Sequence, residues 1–219
     1  MKLITILFII LVLVIFYYIY VGATKSGPIT SLTDAKVLQT IDTAKLANNS
    51  GTNNYTYAIW MYVDNWNYRY GEPKVIFGRT DKSAQGESNP SPSVVLGAMQ
   101  NDLTISIATY PTSTGGAPVL HNCVIKNVPL QKWTCVLVSL YGRSLDVYLD
   151  GKLVRTCVLP GVAKVNKNAP VKITPDGGFD GYTAKFMYFD KPTNPQEAWN
   201  IYKDGFASGG MLGNLFDKY

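Results

Sequence analysis

From Tyr55 to Phe189 the chain is a succession of short runs of β-branched and aromatic residues, each closed by Gly, Pro, Asn or Asp. Runs of this length match strands and fall short of amphipathic helices, and their punctuation is that of turns. The predicted strands are Tyr55–Val63, Lys74–Phe77, Val94–Met99, Leu103–Ala108, Val119–Ile125, Trp133–Leu140, Leu145–Asp150, Lys152–Leu159, Val171–Ile173 and Thr183–Phe189. Asn101-Asp102 reads as a hairpin turn. Only Asn194–Tyr202 reads as helix, with Asn194 as cap, Pro195 at its first position and Glu197 completing a capping box. Many strands and one late helix specify an all-β, antiparallel β-sandwich with one short C-terminal helix.

The segment from Trp133 to Leu159 predicts a three-strand meander. Tyr141-Gly142-Arg143-Ser144 forms its first turn and Asp150-Gly151 its second, the latter a strong two-residue hairpin signal. With those turns as register marks, one face carries Val136, Val138, Leu140, Leu145, Val147, Leu149, Val154 and Val158, and is core. The other carries Cys135, Leu137, Ser139, Asp146, Tyr148, Leu153, Arg155 and Cys157, a mixed face suited to solvent or a partner. This register puts Cys135 and Cys157 at opposite ends of the sheet, too far apart to bond.

Ahead of the strands, every residue from Leu3 to Val21 except Thr5 is hydrophobic. A helix of that length rises about 28 Å, close to the hydrocarbon thickness of a bilayer. Leu3, Phe8 and Leu13 would lie in the lipid, and Phe16, Tyr17, Tyr18 and Tyr20 near the headgroups. The competing reading is a signal peptide, with Met1-Lys2 as n-region and Val21-Gly22-Ala23 as cleavage site, although the apolar run exceeds the usual h-region. The expected organisation is a transmembrane anchor over 1–21, a linker over 22–35 (broken by Gly27-Pro28), a β-sandwich over 36–204 and a tail over 205–219. Cys123, Cys135 and Cys157 are odd in number, so at least one thiol is free or intermolecular. The domain is expected on a reducing side of the membrane. Asn48-Asn49-Ser50 and Asn54-Tyr55-Thr56 match the glycosylation acceptor pattern, which arises readily by chance in Asn-rich sequence.

Three stretches resemble the laminin-G-like, concanavalin A-like jelly-roll domains. Tyr55-Thr56-Tyr57-Ala58-Ile59-Trp60 is similar to the family's early strand. Trp133 to Val138, then Leu145 to Val154 with Tyr148-Leu149-Asp150-Gly151, is similar to its central hairpin. Phe179 to Asp190, followed by the helix through Tyr202, is similar to its closing strand and helix. The resemblance implies a jelly-roll sandwich over roughly 36–204. It implies little about function, since this fold hosts lectins, adhesion modules, glycosidases and structural proteins.

Composition narrows the chemistry. A single histidine, His121, and three glutamates, Glu72, Glu87 and Glu197, disfavour histidine-based hydrolysis and multi-histidine metal sites. The glucanase branch uses closely spaced strand carboxylates, Glu-x-Asp-x-x-Glu, and no Glu here precedes an Asp by two. Asp146 and Asp150 share a strand, with Asp150 in the turn. A non-enzymatic protein is expected, with no cofactor. Asp176 and Asp180 flank a Gly-rich turn that offers carbonyls for calcium but reads more simply as a turn. The net charge of +5 is dispersed, with Lys164, Lys167 and Lys172 the densest group, and lysines outnumber arginines 16 to 4, so nucleic acid is not an expected partner.

Two contact surfaces stand out. Trp66, Tyr68, Arg69 and Tyr70 crowd one inter-strand loop, where they would form a binding surface or plug the end of the sandwich. The tail carries Phe206, Leu212, Leu215 and Phe216 among glycines, a segment that orders only on docking. Anchored laminin-G-like domains of this size resemble minor capsid proteins of large icosahedral DNA viruses with an internal membrane. That resemblance implies a structural protein with its helix in the viral membrane and its sandwich against capsid proteins. The alternative is a membrane-anchored lectin or adhesin that binds glycan.

Overall fold

The computed structural model describes residues 3–24, 27–46, 53–83, 86–111 and 116–206. Its elements in chain order are α1 (Leu3–Thr24), β1 (Thr33–Asp34), β2 (Gln39–Ile41), β3 (Tyr55–Asn65), β4 (Lys74–Gly78), β5 (Asp81–Ser83), β6 (Gly86–Ser88) and β7 (Ser93–Leu96). Then follow β8 (Leu103–Tyr110), β9 (Val119–Ile125), β10 (Thr134–Tyr141), β11 (Ser144–Leu149), β12 (Lys152–Val158), β13 (Val162–Ala163), β14 (Val171–Ile173), β15 (Asp180–Phe189) and α2 (Pro195–Lys203). One sheet has the order β1-β15-β3-β10-β11-β12; the other runs β13-β8-β7-β4-β14-β2, with β9 on the far edge of β8. All pairings are antiparallel, and β5-β6 is a separate hairpin. The sandwich and its late helix are as expected.

Alternate side chains of the two sheets meet in one core. Tyr57, Ile59, Met61, Val136, Val138 and Val147 face Phe77, Val94, Ile105, Ile107, Val171 and Ile173, all buried. The outer face of the first sheet is not left to solvent. Ala198 and Ile201 of α2 pack on Ala58, Leu137, Tyr148 and Met187, so the mixed face is the seat of this helix. The capping box forms as expected: Asn194 Oδ1 accepts from the Glu197 N–H at 2.8 Å, and Glu197 Oε2 from the Asn194 N–H at 3.2 Å. At the other end a bulge in β15 brings Lys185 Nζ to the carbonyls of Asp204 and Gly205, at 3.1 and 2.8 Å. A cation thus sits at the C-terminal end of the helix, where the helix dipole is negative.

The expected register of β12 is corrected. A bulge between Val147 and Tyr148 pairs Val147 with Arg155 and Leu145 with Cys157, leaving Val154 unpaired. Beyond the bulge every side chain changes face. Val154 and Val158 are therefore exposed rather than core, at 44% and 70%. Cys157 turns inward and bonds Cys123 of β9, joining the edges of the two sheets across a sequence separation of 34. The expected absence of a Cys135–Cys157 bond holds. Cys135 is a free, buried thiol on the outer face beside Trp60 and Ala184. The reducing-side expectation meets a disulfide instead.

The N-terminal segments also differ in part. Part of the expected linker is ordered on the sheet: Ile29 N–H donates to Phe186 O at 2.7 Å, and β1 pairs Thr33 with Thr183 and Asp34 with Tyr182. The anchor segment is helical, with Phe8, Leu13, Phe16 and Tyr17 exposed. Among the described residues, however, no helix is long and apolar enough to cross a membrane. The side chains described in α1 span residues 5–17, a rise of about 20 Å against the ≈ 30 Å of a bilayer core. The side chains of Leu3, Tyr18 and Tyr20 lie outside that stretch.

The two ends of the sandwich are closed by different chemistry. At the end where β3 begins, the Arg79 guanidinium is buried and donates to Ala169 O, Lys167 O and Tyr57 Oη at 3.0, 2.7 and 3.2 Å. At the end where β3 finishes, Trp66 packs half-buried against the core.

Candidate functional site

Around Trp66, three connections meet: the β3–β4 loop, the β7–β8 turn and the β9–β10 loop. They enclose an open cleft of ≈ 600 Å³ lined by Trp66, Met99, Gln100, Asn101, Asp102, Lys126, Asn127 and Leu130. That volume is within the range of small-molecule sites. Two of the loops are stitched together. Asn101 Nδ2 donates to Val128 O at 2.9 Å, the Val128 N–H to Asn101 O at 2.8 Å, and the Asn127 N–H to Asp102 Oδ1 at 3.3 Å. Gly97 starts the turn because a Cβ there would stand 2.6 Å from Gln100 O.

Trp66 is held from behind. Lys74 is buried, with Nζ 4.5 Å from the centre of the indole ring and donating to Arg69 O at 3.2 Å and Glu72 O at 3.4 Å. Burial, and next the Arg69 charge, hold its ammonium below the usual lysine range. The ring is thereby fixed by packing and a cation–π contact, the pre-organisation that a rigid binding surface needs. Lining the cleft are an aromatic surface, a carboxylate, three primary amides (that of Asn101 already donating to Val128 O) and the exposed Lys126. A sugar ring has an apolar C–H face and a rim of hydroxyls, and such a wall offers each a counterpart.

The other predicted loop residues divide. Tyr68 Oη donates to Gly177 O at 3.2 Å, and Lys36 Nζ lies 4.9 Å from the centre of its ring. Arg69, at φ +52°, donates from Nη1 to Gly178 O at 3.3 Å and pairs with Glu72 at 2.7 Å. Tyr68 and Arg69 thus lash the loop to the turn before β15, while Tyr70 is exposed at 59%. Trp66 alone of these four lines the cleft. Phe206 lies elsewhere, stacked on Trp133 at 4.3 Å and beside Trp60 on the outer face of the first sheet. Leu212, Leu215 and Phe216 lie outside the described residues. Sequence reasoning missed the cleft's second wall because Asn101 and Asp102 look like turn formers, which they also are. No sequence pattern in the two loops marked it.

The candidate carboxylates are occupied structurally. Asp150, at φ +50°, accepts the Cys135 N–H at 2.9 Å through Oδ1 and Lys132 Nζ at 3.0 Å through Oδ2. Asp146 Oδ1 accepts Thr156 Oγ1 at 2.6 Å. Four residues apart on extended chain, the two lie about 13 Å apart along the strand, beyond either glycosidase spacing. Asp180 pairs with Lys36 at 2.7 Å, and the carbonyls of Gly177 and Gly178 serve Tyr68 and Arg69. Among the described residues no group of three or more His, Cys, Asp or Glu side chains is placed to hold a metal. His121 is half-buried on β9, opposite Ile107.

Solved structures share this architecture. The botulinum neurotoxin serotype D binding domain superposes with a TM-score of 0.54 at 12% identity, over 72% of this chain and 38% of that one. The serotype D ligand binding domain in complex with N-acetylneuraminic acid gives 0.55 at 11%, over 80% and 46%. The binding domain of neurotoxin DC in complex with rat synaptotagmin II gives 0.53 at 13%, over 71% and 37%. The chain thus spans less than half the length of these neighbours, and the likeness is one of fold. No curated protein matches the sequence. The laminin-G-type sequence profile described as concanavalin A-like lectin/glucanases superfamily matches residues 38–198, most of the chain. On that match, and with a two-sheet jelly-roll sandwich to bear it out, the chain belongs to the concanavalin A-like lectin/glucanases superfamily.

Proposed function

We propose that this chain is a non-enzymatic carbohydrate-binding module whose apolar N-terminal helix holds it at a membrane. The observation that carries the reading is the cleft wall of Trp66, Gln100, Asp102 and Asn127. Its position supports display. The chain joins the sandwich where Ile29 meets Phe186, about 20 Å along the strand from the cleft end. The neighbour in complex with N-acetylneuraminic acid is a precedent for sugar binding on this fold, at the level of fold only. The hydrophobic sequence from Leu3 to Val21, broken only by Thr5, supports anchorage. A glycan array with the full chain tests the reading. One glycan class bound by wild type and lost in Trp66→Ala, with unchanged thermal unfolding, supports it; an array with no hit refutes it.

A second reading, a minor capsid protein tying an internal viral membrane to a protein shell, is favoured by one surface. Tyr182 and Trp199 are 46% and 40% exposed; Tyr182 is paired with Tyr62, whose ring lies 5.7 Å from Trp133, and Trp199 lies 5.4 Å from Tyr202, on the side where Phe206 stacks on Trp133. The disulfide weakens this reading, which expected free thiols. Cross-linking mass spectrometry on membrane-bound particles distinguishes the two: abundant links from Lys203 or Lys218 to shell proteins favour the capsid role, and intrachain links alone refute it.

A further inference from the structure

We propose that Asn54 is an N-glycosylation site and that the sandwich matures in an oxidising, secretory-type compartment. Two independent features converge on this inference, and neither depends on the cleft. The first is the side-chain arrangement of Asn54. The Gly142 N–H donates to Asn54 Oδ1 at 2.8 Å, which fixes the amide orientation, and Nδ2 makes no bond among the described residues. Asn54 is only half-buried. By contrast, Asn53, Asn101 and Asn166 all commit their Nδ2 to backbone carbonyls. Glycosylation consumes the nitrogen and leaves the carbonyl, so the bond to Gly142 survives modification.

The second feature is the Cys123–Cys157 disulfide. Stable disulfides form in compartments that also carry out N-glycosylation and rarely in a reducing cytosol. The acceptor pattern Asn54-Tyr55-Thr56 completes the requirement. In the folded domain the Thr56 hydroxyl is buried and bonded to Lys191 O at 2.8 Å and Ser139 Oγ at 3.2 Å. Transfer therefore precedes closure of β3 and acts on the extended nascent chain. Asn54 Nδ2 attacks the anomeric carbon of an oligosaccharide carried on a polyprenyl diphosphate. The carbon–oxygen bond to the diphosphate breaks with its electron pair, and the amide gives up one proton. Asn54 precedes β3 at the end of the sandwich remote from the cleft, so the glycan leaves the cleft open.

The test expresses the full chain in a eukaryotic secretory cell in an Asn48→Gln background, which removes the other acceptor pattern. Intact mass and peptide-N-glycosidase treatment are read alongside alkylation of thiols without reductant. The expected result is one glycan per chain and one alkylatable thiol after denaturation, with the glycan lost in Asn54→Asp, a variant that keeps the acceptor for Gly142. An unmodified chain overturns the proposal, whether Cys123 and Cys157 are bonded or all three thiols are free.

Discussion

Removing the Cys123–Cys157 bond is expected to be among the most costly single perturbations of this sandwich. The bond closes a loop with a sequence separation of 34 and joins β9 to β12, strands at the edges of different sheets. Chain-entropy theory for a loop of that length gives about 13 cal/mol/K less unfolded-state entropy, or about 4 kcal/mol at 25 °C. With a urea slope of about 2 kcal/mol/M, the midpoint should fall by about 2 M. The assay is equilibrium urea unfolding of the Cys123→Ala/Cys157→Ala variant, followed by tryptophan fluorescence, with reduced wild type as a second route to the same state. Thiol counting keeps the experiment clean. Cys135 is buried, and burial pushes its thiol up to about 12, so it should resist alkylation at pH 8 until the chain unfolds. A midpoint unchanged by verified reduction would refute the reasoning, because the sheets would then be held together without the bond.

Arg79→Met is expected to cost about 3 kcal/mol, since it removes the donor of the Ala169 and Lys167 carbonyls and of the buried Tyr57 hydroxyl; chemical denaturation would show it, and a change under 1 kcal/mol would count against the role given to Arg79. Asn194→Ala should cost about 1 kcal/mol and increase hydrogen exchange in α2 before the sheets. The hydrogen bond from Lys191, and after it the Asn194 N–H, hold the Glu197 carboxyl below its ordinary value. Its contribution is therefore fully present above the unfolded-state pKa and is lost as pH falls through the lower folded value. Glu197→Gln should flatten the acid side of the stability profile, and an unaltered slope would contradict this.

Strands and helix were legible because they obey local rules. Alternation set β3, β10 and β11, turn chemistry set Gly142 and Asp150-Gly151, and a capping box set α2. What escaped the sequence was non-local. The single extra residue of β12 has no composition signature, yet it turns Val154 and Val158 outward and Cys157 inward, and with it goes the disulfide. Arg79 reads as a surface cation until Tyr57 and the 167–169 backbone close over it. The short strands β1 and β2 exist only because β15 and β14, distant in sequence, offer them an edge. Of the cleft, only Trp66 carried a recognisable signal; Gln100, Asp102, Lys126 and Asn127 become neighbours because a turn and a loop far apart in sequence are hydrogen-bonded together.

The seam between residues 29–35 and β15 sets how the sandwich bears load. Ile29 N–H on Phe186 O, the Phe186 N–H on Thr30 Oγ1, the β1 pairs and the Ala35 N–H on Gly181 O lie in series along one strand edge. Residues 35 to 29 run N-terminally along that edge, away from the cleft end, so tension taken up at Ile29 runs parallel to the strand. The hydrogen bonds are then sheared together rather than peeled one at a time, and the pull is delivered to β15, which is paired along most of its length to β3. A pull taken up at Ile29 leaves the cleft loops, at the far end of the same strands, outside the line of force.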